Sequence, residues 1–172
     1  MHFEIEQRFR APRDAVEAAY VDPALFSALA ALPKIGRPEL LDQARDGDRV
    51  RQRVRYQFTG EVSGAVRRVV DPARLSWVEE TVFDAAAHRS DVRIVPDHYG
   101  GLLESRMTIT YVPADEDGGT LRRAVGEVRV HMPIVGGKVE RAIVSGMREH
   151  AQVEQGAVER WFDGRPSGPS PG

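Results

Sequence analysis

The chain has 172 residues, 24 basic against 26 acidic side chains, 41% hydrophobic residues and no cysteine. That length suits one domain, able to bury roughly 70% of the surface its unfolded form exposes. The lack of cysteine excludes a disulfide scaffold and thiol chemistry, no apolar run approaches the ~20 residues of a membrane-spanning helix, and the near-neutral balance argues against nucleic acid as the main partner.

Residues 2–10 alternate, with Phe3, Ile5, Gln7 and Phe9 on one face and charged residues on the other, which predicts a strand with one wet face. The N-terminus, MHFEIEQRFRAPRD, is charged from Glu4 onward and lacks the apolar core of a signal peptide, so a cytoplasmic location is expected. Pro12 then opens a short helix over 13–20, and Asp22-Pro23 restarts a second one, which ends at Pro33. A run of strands follows over 38–45, 49–58, 61–70, 75–83, 88–95, 103–112 and 120–131. Their linkers, such as DAAAH and ADEDGG, have hairpin length and chemistry, so the sheet should be antiparallel.

Residues 133–162 switch to helical period. Val139, Ile143, Met147, His150, Ala157 and Trp161 fall on one face, with Ala142 and Gly146 beside it as points of close approach to a sheet. From Lys138 onward such a helix of about 24 residues would be about 36 Å long, enough to cross a sheet. The domain should cover 1–162, and the Pro/Gly/Ser-rich residues 163–172 read as a disordered tail.

One strand, two short helices, six or seven antiparallel strands and a long C-terminal helix make an α+β chain whose curved sheet is covered by one helix. The segments FRAPRDAVEAAYVDPALF at 9–26 and GEVRVHMPIVGGKVERAI at 126–143 resemble the opening and the last strand, corner and helix start of the START-like (SRPBCC) helix-grip superfamily. The second segment is similar to an uncharacterised actinobacterial branch. The resemblance spans about residues 2–162. It implies a pocket between sheet and helix for lipids, sterols, polyketides or other hydrophobic molecules, and it carries over no catalytic residue.

Within that frame, Phe58, Met107, Ile109, Tyr111 and Val128 share the parity of a concave face, alongside Ala124, Gly126 and Val130, while Ile143, Met147 and His150 face them from the helix. His150 reads either as a polar group in an apolar pocket or as a core histidine satisfied by one neighbour. Glu79 and Glu80 must point to opposite faces. If Trp77 and Phe83 face the pocket, Glu79 and Thr81 go with them; the other parity puts Val78, Glu80 and Val82 inside.

The stripe Arg49, Arg51, Arg53 and Arg55 could suggest phosphate binding, but 22 of the 24 basic residues are Arg, and Glu4, Glu6, Glu61, Glu80, Glu104 and Glu127 offer cross-strand partners. The five histidines show no metal-ligand spacing, and no nucleophile elbow or phosphate loop occurs, so neither metal nor cofactor is expected. The expected function is non-covalent binding of a hydrophobic or amphipathic small molecule for transport, sequestration or sensing. The alternatives are a cyclase or dehydratase using a pocket His and Glu, and an interaction module resembling the START-like chaperone activators.

Overall fold

Alternation sets the first element. In the computed structural model, which describes residues 1–68, 70–114 and 118–164 (without the side chains of Ala31 and Ala65), β1 (His2–Phe9) buries Phe3, Gln7 and Phe9 and exposes His2, Glu4 and Arg8. Helix α1 (Arg13–Tyr20) buries Val16, Glu17 and Ala19. Asp22 caps α2 (Pro23–Ala28) by accepting from the Ala24 amide at 2.8 Å, with proline at the first helical position, and a 3-10 turn at Leu29–Ala31 extends it.

Six strands follow as a meander: β2 (Glu39–Asp46), β3 (Arg49–Gln57), β4 (Ser76–Asp84), β5 (Arg89–Pro96), β6 (Leu103–Pro113) and β7 (Thr120–Val130). With β1 they form a single antiparallel sheet in the order β1-β7-β6-β5-β4-β3-β2. Between β3 and β4 the chain makes one helical turn, α3 (Gly64–Arg67). Helix α4 (Gly136–Asp163) lies against β1 and β7 and completes a helix-grip fold. The residues expected to form a tail, 165–172, lie outside the described residues.

The strand expected over 61–70 does not form; α3 stands in its place. The reason is an edge already taken: β3 pairs with β2 on one side and with β4 on the other, so a strand at 61–70 has no partner beside β3. Asp71 instead accepts from the Ala73 amide at 3.0 Å and caps a 3-10 turn that leads back into β4.

The buried seam of α4 also differs from the expected stripe. Val144, Ala151 and Val158, spaced by seven, are buried, with Ala157 beside them, while Ile143, Met147 and His150 flank them at partial burial. Ala142 and Gly146 face outward, and a Cβ on Gly146 would meet nothing within 4 Å. The close approach is elsewhere: a Cβ on Gly126 would stand 2.4 Å from the Arg106 carbonyl oxygen and 2.8 Å from the Phe3 ring.

The core divides in two. A larger cluster gathers Phe9, Val16, Leu25, Phe83, Tyr111 and Val158, and a smaller one holds Phe3, Val128 and Val144, with Met107 packed against both. On the wet face three of the four stripe arginines are held by carboxylates: Arg49 by Asp84 at 3.0 Å, Arg53 by Glu80 at 3.4 Å, and Arg55 by Asp97 at 3.3 Å and Glu39 at 3.7 Å.

Two glycine-to-alanine changes should move stability in opposite directions in urea denaturation. Gly126→Ala is expected to lose about 1–3 kcal/mol through overpacking. Gly146→Ala, with open space and a helical backbone, should gain about 0.5–1 kcal/mol.

Candidate functional site

The inward row at the Phe9 end of β1 places Arg122 on β7 directly between Gln7 on β1 and Tyr111 on β6. The Arg122 guanidinium donates through Nη1 to Gln7 Oε1. It lies 4.2 Å from the centre of the Tyr20 ring, brought over the sheet by α1, and 3.8 Å from the Glu154 carboxylate on α4. Gln7, 1% exposed, completes the ring by donating through Nε2 to Glu154 Oε2 at 2.9 Å and to the Ala151 carbonyl at 2.7 Å.

Burial works against the Arg122 charge. Tyr20, Tyr111 and the Glu154 carboxylate outweigh it and hold the guanidinium pKa above its ordinary value. Burial also pushes the Tyr20 and Tyr56 hydroxyls well above the usual phenol range.

Across the concave face, β4 points Glu79, Thr81 and Phe83 inward, which decides the parity left open by the sequence. Together with Arg122, Gln52 and Ser90 they border a small cavity of about 30 Å³, room for about one water molecule. Its apolar wall is Val92 and Ile109, and the Tyr20 and Tyr111 rings close it. Glutamines hold the end of α1 over this space: Gln52 Nε2 donates to the Tyr20 carbonyl at 3.1 Å, and Gln43 Nε2 donates to the Val21 carbonyl at 2.8 Å. Arg122 Nε and Tyr20 Oη are buried with no partner of hydrogen-bonding geometry among the described residues.

Glu79 is a buried carboxyl with a displaced proton affinity. Burial, and then repulsion from Glu154, raise its pKa to about 7, while Arg122 and the Thr81 hydroxyl pull less strongly the other way. Among the described residues no cation comes within ion-pair distance of it.

Of the residues singled out from sequence, Glu79, Ile109 and Tyr111 border this cavity. Trp77 stands two residues before Glu79 on β4 and stacks on Tyr56, with ring centres 5.8 Å apart. Phe58 lies beyond β3 and bridges to Ile35. Met107 is packed between the two core clusters, and Val128, Ile143 and Met147 belong to the smaller one. His150 is half-buried beside the α4 seam, its Nδ1 buried without a hydrogen-bond partner among the described residues, and it is not part of the cavity wall.

Arg122, Glu154, Tyr20 and Gln52 carry the site without having been singled out. For Arg122 a signal exists, because it shares parity with Ala124, Gly126 and Val128. Glu154 has none, since a glutamate within a helix reads as a solvent residue until its partners are placed.

A second constellation joins α1 to the β4–β5 hairpin. His88 Nδ1 lies 2.9 Å from Glu17 Oε1, and with Asp14 their ligand atoms fall within 4.8 Å of one another. Two carboxylates and an imidazole could hold a metal ion, but the direct hydrogen bond between His88 and the buried Glu17 already accounts for the arrangement.

The profile of a family described as "Protein of unknown function (DUF2505)" matches residues 4–162. No curated protein matches the sequence. Among solved structures, TTHA0849 from Thermus thermophilus is similar with a TM-score of 0.65 at 19% identity, over 93% of this chain and 95% of that one. The Zhui aromatase/cyclase from Streptomyces sp. R1128 gives 0.60 at 14% identity, over 95% and 93%. Norcoclaurine synthase from Thalictrum flavum gives 0.62 at 20% identity, over 96% and 87%. At these identities the likeness establishes the fold. No helix among the described residues is long and apolar enough to cross a membrane.

Two outcomes follow from the electrostatics. Glu79 titrates near 4.5 when unfolded and at about 7 when folded, so between those values the folded chain holds a proton that the unfolded chain has lost. Stability should therefore fall as pH rises from about 5 to 8, by on the order of 3 kcal/mol from this group. Chemical denaturation of Glu79→Gln across that range should show a flatter profile. Arg122→Met should cost about 3–5 kcal/mol because Glu154 is left buried without its cation, and the double variant Arg122→Met/Glu154→Leu should recover much of the loss in a double-mutant cycle.

Proposed function

The chain belongs to the DUF2505 family, and we propose that it binds a hydrophobic or amphipathic small molecule between its sheet and C-terminal helix, as a carrier, sequestering protein or sensor without covalent chemistry. The observation that carries this reading is the placement of Glu79 and Arg122 on one cavity inside the grip, with Glu154 behind Arg122 on α4. Buried ionic groups are a poor source of stability, since well-packed apolar side chains in their place are often as stable or more so. A cavity with apolar walls, a few convergent polar groups and a displaced pKa is the arrangement expected of a binding site.

At about 30 Å³ the cavity is roughly a tenth of the ~300 Å³ at which small-molecule pockets begin. On this reading a ligand needs more room than the cavity offers, which it gains if the Tyr20–Val21 end of α1, held by Gln43 and Gln52, lifts from the sheet. Two of the similar structures are named as an aromatase/cyclase and a synthase, yet a shared fold leaves the activity open. An acid–base enzyme built on His150 and Glu79 would need both groups on one cavity. With His150 outside the wall, the geometry supports binding better than catalysis.

A second reading, a module acting through its surface, is favoured by the small interior volume. Against it, exposed apolar residues on the outer sheet face stand apart: Val82 and Val125 share a row in which Asp91 and Thr108 separate them.

Native mass spectrometry of the purified full chain, followed by denaturation and organic extraction, separates these readings. A retained small molecule released on denaturation is the expected result. An unliganded mass, with no thermal shift across a panel of lipids and polyketide-like aromatics, would overturn the binding reading in favour of the surface module.

A further inference from the structure

We infer that the ligand of this cavity carries a protonated amine on a short apolar or aromatic body, and that Glu79 is its countercharge. The inference rests on the small-molecule reading above and names the chemistry of the group that enters.

The titratable groups lining the cavity are Glu79 on β4, Arg122 on β7, Tyr20 on α1 and Tyr111 on β6, while β5 contributes only uncharged Ser90 and Val92; Glu154 on α4 and Tyr56 on β3 stand outside the lining but close enough to interact electrostatically with Glu79. Two carboxylates thus share one guanidinium.

That guanidinium is already committed. It donates to Gln7, faces Glu154 and lies on the Tyr20 ring, all on the β1 and α4 side of the space. Glu79 stands on β4 across the cavity with a hydroxyl neighbour and no ion pair among the described residues. A buried carboxylate without a cation is costly, and the space beside it is where a cation would lower that cost.

The other walls agree. Gln52 has both ends of its amide engaged, its oxygen accepting from Gln43 at 3.1 Å and its nitrogen donating to the Tyr20 carbonyl. The rings of Tyr20, Tyr111 and Phe83 surround the space, with Tyr20–Tyr111 and Phe83–Tyr111 centres 6.3 Å and 6.0 Å apart. Aromatic faces attract cations, as the Arg122–Tyr20 pair in the same wall already shows. An anionic head group would meet Glu79 and find Arg122 already engaged by Gln7 and Glu154.

The test uses three probes of one shape and different charge: 2-phenylethylamine, 2-phenylethanol and 3-phenylpropionate. Each is titrated into the full chain by calorimetry at pH 6, 7 and 8, with Glu79→Gln run in parallel and its fold checked by thermal melting. The expected result is that the amine binds at least tenfold tighter than the alcohol at pH 8. Its affinity should rise from pH 6 to 8 as Glu79 ionises, and Glu79→Gln should abolish both the preference and the pH dependence while leaving the alcohol unchanged. Equal or tighter binding of the alcohol or the carboxylate would overturn the amine assignment and leave the small-molecule reading standing. So would amine binding to the wild-type chain that does not change between pH 6 and 8, a result independent of how the variant behaves. If none of the three binds and the native mass is also unliganded, both readings fall together.

Discussion

Taking a guanidinium out of water costs several kcal/mol unless its charge and its donors are met at close range. In this protein that constraint falls on Arg122, and its solution recruits four elements at once. Strand β1 supplies Gln7, α1 lays the Tyr20 ring across the guanidinium, β6 sets Tyr111 beside it, and α4 brings Glu154. Gln7's contacts with Arg122, Glu154 and the Ala151 carbonyl do not survive a one-residue slip of β1 against β7, because such a slip would turn Gln7 to the wet face. The polar cluster thus ties strand register to helix placement, because Gln7 of β1 bonds Arg122 of β7 and Glu154 of α4 at once.

Charge has two separate uses in this molecule. On the outer face of the sheet, arginines and carboxylates alternate across strands, and each exposed pair contributes at most about 1 kcal/mol. Their collective effect is to keep a broad antiparallel face hydrated and its edges unattractive to other strands. Inside, three ionisable groups suffice, because low polarity magnifies each interaction. The first set is numerous and individually dispensable. The second is small, and its members act on one another: Glu154 and Arg122 pull the proton affinity of Glu79 in opposite directions.

The order of elements and most strand positions are legible in the sequence because they rest on local signals: alternation, Asp-Pro caps and hairpin-length linkers. The signals fail where a residue's environment is decided by a distant part of the chain. Residues 61–70 carry enough valine for a strand, but β4 already occupies the edge they would need. Glu154 breaks the true seam of α4 and displaces the apparent stripe onto His150. Its partner Gln7 lies 147 residues away, and no local pattern announces that pair. Glu79 was legible as one of two alternatives, since period two fixes that neighbours oppose each other but not which one faces in.

The sheet order bears on how the chain acquires these properties during synthesis. Strands β2 to β7 are sequential neighbours and can pair as they emerge, whereas β1 must wait for β7, and the concave face must wait for α4. Until the helix that closes the grip has left the ribosome, Glu79 and Arg122 are wetted on an open half-shell, with the ionisation of ordinary surface side chains. The unusual protonation of the interior is thus conferred only once α4, the latest of these elements in chain order, is in place. A nascent or truncated chain that holds the meander without that helix would present the same residues with none of their tuned chemistry.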